Sequence, residues 1–121
     1  MIKKEVKAQL IGQMIKLLKH PTGKSLEKSA LTLAEFIRET VGDGASKTSQ
    51  EYEQFLHGKH IRNKREIVDV FKTLEEIKYA DRQITKEETT KIINFILELI
   101  INYEVQPDEP SKTFLQKVFK H

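Results

Sequence analysis

The chain has 121 residues, 38% hydrophobic and 32% charged, with a formal net charge of +3 and neither Cys nor Trp. That length holds one domain with one core, and the lack of cysteine excludes disulfides, a thiolate nucleophile and every cysteine-ligated zinc or iron–sulfur site. The charge is laid down in blocks: residues 1–28 carry +5, 29–56 carry −3, 57–72 carry +3, 73–105 carry −3 and 106–121 carry +1. A bundle can neutralise much of this internally, so a basic patch requires that 1–28 and 57–72 meet in space.

No run alternates with period two, and the pattern is helical throughout. Ile2, Val6, Leu10, Met14, Leu17 and Leu18 make one apolar face of a first helix, stopped at His20-Pro21-Thr22-Gly23. Ser25 is the expected N-cap of a second helix that buries Leu26, Ala30, Leu33, Ile37 and Val41 and closes at Gly42 and Gly44. Ser46 or Thr48 can cap a short third helix through Tyr52, Phe55 and Leu56, with Gly58 at its end. Asn63-Lys64-Arg65-Glu66 reads as a variant capping box opening a fourth helix, whose expected face is Val68, Phe71, Leu74 and Ile77. Thr85-Lys86-Glu87-Glu88 repeats the device for a fifth. After a break at 106–110, Phe114, Leu115, Val118 and Phe119 form a short amphipathic helix, 110–121, expected to pack on the bundle or stay free.

On a wheel of the fifth helix with Lys91 at 0°, Asn94, Glu98 and Asn102 fall at about 300°, 340° and 20°. The remaining arc, about 240°, is apolar, far beyond the roughly 100° stripe of a surface helix. Residues 92–103 are therefore expected to form the most buried helix, surrounded by the others. The alternative is one side left open for a partner helix or a homodimer contact. This run is too short to cross a bilayer, which takes about 20 residues, and residues 1–5 begin an amphipathic pattern and not a secretory signal. A cytoplasmic location is expected.

Catalytic chemistry has little to stand on. No Ser or Thr lies in a nucleophile elbow, and Gly42-Asp43-Gly44 lacks the rest of a phosphate-binding or dinucleotide motif. Neighbouring carboxylates such as Glu75-Glu76 diverge by about 100° on a helix and cannot pair as acid and base. Glu53, His57 and His60 have metal-ligand spacing on a continuous helix, but Gly58 interrupts it, so solvated histidines are expected and no metal or other cofactor. The densest charge is the turn at 57–65, where Lys59, Arg62, Lys64 and Arg65 lead into a helix N-terminus. This can bind phosphate or nucleic acid, or serve as a solvated turn. No recognition helix of a helix-turn-helix is apparent.

The Lys-rich opening Lys3-Lys4-Glu5-Val6-Lys7, the break at His20-Pro21, the amphipathic second helix and the penultimate helix opened by Ile84-Thr85-Lys86-Glu87-Glu88 together resemble the immunity proteins of pediocin-like bacteriocins. The likeness spans about residues 1–105, in a chain longer than most of that family. It implies an antiparallel bundle with no catalytic site that engages a membrane receptor complex from the cytosol, with recognition in the C-terminal half. A second resemblance, to TerB-like tellurite-resistance bundles, rests on Ala80-Asp81-Arg82-Gln83-Ile84 and Glu88. There Arg82 stands where that family has glycine, which puts the implied acidic metal site in doubt.

Together these readings give an all-α, single-domain antiparallel bundle of five to six helices over residues 1–121, built around a central apolar helix. Its expected role is a non-enzymatic protein-binding module of immunity or regulatory kind. The expected partner-binding residues are Phe95, Leu97, Ile101, Phe114 and Phe119. Nucleic acid binding through the basic turn and a stress-resistance role are the alternatives, and a homodimer is compatible with the same apolar residues.

Overall fold

Apolar residues at three- and four-residue spacing, with caps between them, fold into five helices in the computed structural model, which describes residues 2–22, 24–42 and 47–104. They are α1 (Lys4–Lys19), α2 (Ser25–Val41), α3 (Ser49–Leu56), α4 (Lys64–Tyr79) and α5 (Lys86–Ile101). The result is an all-α bundle. The expected C-terminal helix at 110–121, with Phe114 and Phe119, lies outside the described residues, as do Ser46 and Gly44.

The helix boundaries follow local chemistry. Thr48 and Thr85 both have extended backbones, and each accepts the amide of its third following residue, Glu51 and Glu88, whose carboxylates return to the cap amides. Gly42, at φ 96°, closes α2 by donating to the carbonyls of Arg38 and Ile37. Gly58, at φ 80°, turns the chain after α3.

Two expected caps take other forms. Ser25 is the first residue of α2 and not its N-cap; its Oγ accepts the Thr22 amide at 2.7 Å and so fixes the preceding turn. Asn63 does not complete a capping box. Its backbone is left-handed, at φ 62°, which aims the side chain away from the helix amides, and its Nδ2 donates instead to the Glu66 carboxylate at 3.2 Å.

The core joins Leu10 and Met14 of α1 to Leu33, Phe36 and Ile37 of α2, Ile67 and Val70 of α4, and Ile93, Ile96 and Ile100 of α5. Tyr52 stacks on Phe71 with ring centroids 4.1 Å apart, fastening α3 to α4. The most buried helix is α2 and not α5: eight of its residues are buried against five in α5. The reason is position, because α1, α4 and α5 all pack on α2. Its buried polar residues make this possible by bonding locally or across the interface, Ser29 Oγ to the Leu26 carbonyl and Thr32 Oγ1 to Gln13 Oε1.

The face of α4 is also rotated from expectation. Ile67, Val70 and Phe71 are buried, while Val68, Leu74 and Ile77 are only half-buried. Both sets have helical spacing, and contact with α2 and α3 on different sides selects the first.

Candidate functional site

The wheel of α5 is realised as drawn. Lys91, Asn94, Glu98 and Asn102 are exposed, and Ile93, Ile96, Leu99 and Ile100 are buried against α1 and α2. The expected partner-binding residues on this helix do not form one surface. Leu97 and Ile101 lie about 160° and 120° around the helix from Phe95, so they belong to the opposite flank. Leu97 is half-buried, and Ile101 is 46% exposed.

Among the described residues, the Phe95 flank is where the bundle is open. α4 and α5 both rest on α2 but do not pack extensively on each other. Between them runs a trough in two neighbouring parts. A cleft of about 750 Å³ is lined by residues of the 59–63 turn and by Phe95, Glu98, Leu99, Asn102 and Tyr103. A shallower stretch of about 310 Å³ continues toward the N-terminus of α5, lined by Glu66, Asp69, Val70 and Ile92 among others. Half-buried Phe95 lines both.

Contacts from α1 and α2 hold the end of α5 in place. Lys7 Nζ donates to the carbonyls of Ile101 and Tyr103 at 2.7 and 2.8 Å, answering C-terminal acceptors with a cation. The Ile2 amide donates to the Glu104 carbonyl at 3.2 Å. Tyr103 meets Phe36 edge to face, with centroids 5.3 Å apart, so the wall of the cleft is anchored in the core. None of these four contacts is announced by periodicity, because each joins residues at distant positions in the chain.

The basic turn is divided by its own geometry. Lys59, His60 and Arg62 line the large cleft, whereas Lys64 and Arg65 line a separate depression of about 500 Å³ between α3 and α4, together with Glu53 and His57. Glu53 and His57 therefore face one hollow and His60 another. Among the described residues, no group of His, Asp or Glu is arranged to hold a metal ion. Among the described residues, Arg62, Lys64 and Arg65 take part in no ion pair or side-chain hydrogen bond, and the Lys59 ammonium lies 5.1 Å from the Phe55 ring centroid. The other basic block is elsewhere: α1 packs on α5 and α2, and α4 on α3 and α2, so the two blocks are not joined by helix packing.

Arg82 shows the contrasting case of a cation fully used. Its guanidinium reaches Glu76 at 2.6 Å and Glu88 at 3.3 Å, bridging the end of α4 to the start of α5. Of these, Glu88 is the carboxylate on which the TerB-like resemblance rests, and it is taken up by Arg82 and the Thr85 cap. The cap hydrogen bonds from Thr85, with help from Arg82, hold the Glu88 carboxyl below its ordinary pKa, and those from Thr48, with Lys47 nearby, do the same for Glu51.

Comparison of the chain with protein-family models, with curated proteins and with solved structures gives no match. Among the described residues, no helix is long and apolar enough to cross a membrane.

Proposed function

We propose that this protein is a non-enzymatic, cytoplasmic protein-binding module of the immunity or regulatory kind, and that it engages its partner through the cleft at the C-terminal end of α5. The observation that carries this reading is the cleft itself. Its floor is apolar, with Phe95 and Leu99, and its rim is charged, the apolar centre and polar rim of a protein-binding surface. The immunity resemblance points the same way, since it implies recognition in the C-terminal half.

The test is a photo-crosslinking residue at Asn102, an exposed position lining the cleft, in cells that produce the protein. The expected result is a covalent protein adduct that survives nuclease treatment and disappears with Phe95→Asp in a variant that still folds. Adducts to nucleic acid alone would replace this reading with the nucleic-acid one, for which the uncommitted Arg62, Lys64 and Arg65 speak. Their division between two hollows makes that the second choice.

A further inference from the structure

The trough between α4 and α5 carries charges of opposite sign on its two walls. From the turn outward, one wall presents Lys59 and Arg62, then Glu66 and Asp69. The facing wall, on α5 and just beyond it, presents Glu104 and Glu98 first, then Lys91. Cations thus stand opposite carboxylates at both ends, yet among the described residues no ion pair or side-chain hydrogen bond joins Lys59, Arg62, Glu66 or Asp69 to Glu98, Glu104 or Lys91; the link between α4 and α5 through Arg82, which bonds Thr73, Glu76 and Glu88, lies at the far end of the trough. The floor between the walls is Val70, Ile92, Phe95 and Leu99. From Lys91 to Asn102 the trough follows about 16 Å of helix, three turns at 1.5 Å per residue.

We infer that this trough receives one amphipathic helix of a partner protein, about three turns long, with its apolar stripe on Phe95 and oppositely ordered charges along its two polar edges. Helix-in-groove recognition supplies the apolar anchors. The edge along the turn and α4 must run from acidic to basic away from the turn, and the edge along α5 from basic to acidic. Reversing the helix in the trough exchanges its edges and their order together, so the same pattern fits in either direction. A helix with its edges exchanged fits in neither. The inference rests on the protein-binding reading above and specifies the partner's surface.

The probes are two synthetic 14-residue amphipathic helices of identical composition, one with the matched edges and one with the edges exchanged. Each is titrated into the full chain by fluorescence anisotropy at low salt. The matched peptide should bind at least tenfold more tightly than the exchanged one, and added salt should narrow the gap. Lys59→Glu/Arg62→Glu, at two exposed positions where the fold can be verified by circular dichroism, should remove most of that preference. Equal binding of the two peptides, or a preference untouched by the double reversal, would overturn the inference. So would matched binding that appears only in Phe114→Ser/Phe119→Ser, which would make the chain's own C-terminal segment the occupant. Concentration-dependent dimerisation abolished by Phe95→Asp would assign the trough to a second copy instead. A nuclease-resistant protein adduct from Asn102 alongside indifference to the peptides would leave the protein-binding reading standing and remove this one.

Discussion

At the scale of single residues, the structure depends on a few side chains whose contacts are long in sequence or specific in backbone. Lys7 is the clearest. Its ammonium answers two carbonyls at the end of α5, so Lys7→Met, which keeps the aliphatic stem, should cost about 1 kcal/mol and lower the melting temperature. The threonine caps and Asn63 look alike in sequence and should behave differently. Thr85→Ala removes an acceptor from a helix start and should cost about 1 kcal/mol in chemical denaturation. Asn63→Gly should be neutral or slightly stabilising, because Asn63 caps nothing and sits at a positive φ that glycine adopts freely, whereas Asn63→Ala should destabilise. Glu51 and Glu88 give the acid limb of stability its sign. Their carboxyl pKa values are depressed in the folded state, so the stabilisation is complete above the ordinary glutamate pKa of about 4.3 and is lost as pH falls through the lower folded values. Melting curves of Glu88→Gln should therefore fall less steeply with acidification than those of the parent.

At the scale of elements, the periodicity located five helices because each carries its own start or stop signal. Thr48 and Thr85 caps, Gly42 and Gly58 turns and the polar strip of α5 are all local, and local chemistry is what a sequence displays. Burial rank is not local. The apolar arc of α5 is wider than that of α2, yet α2 is the more buried helix because three others lie on it, Ser29 and Thr32 included. Polar residues counted as surface in a linear reading are interior once their hydroxyls bond to the Leu26 carbonyl and to Gln13. Phe36 belongs to the same lesson: completely buried and in contact with Tyr103, it lies one position before Ile37 in the face drawn for α2. Phe36→Ala should cost about 3–5 kcal/mol, a large share of a small domain's stability, and should also loosen the cleft wall that Tyr103 forms.

At the scale of the whole molecule, the candidate site was half legible. Phe95 was singled out because α5 has more apolar surface than one interface requires. Leu97 and Ile101 lie on the other flank of α5, and the wheel alone cannot say which flank the neighbouring helices leave uncovered. The charge blocks are likewise explained by arrangement: the basic turn shares a cleft with Glu98 and Glu104, while helix packing does not join it to the basic block of α1. Opposite charges facing across an apolar trough, with no ion pair between them among the described residues, are the basis for reading that trough as a binding site. The most direct measurement is amide chemical-shift mapping of the isotope-labelled full chain during titration with the charge-matched helix. Shifts confined to the 59–63 turn, residues 66–73 of α4 and residues 91–104 are predicted. Shifts centred on the α2–α4 groove at exposed Leu31 and Tyr79, or none at saturating peptide, would contradict the account.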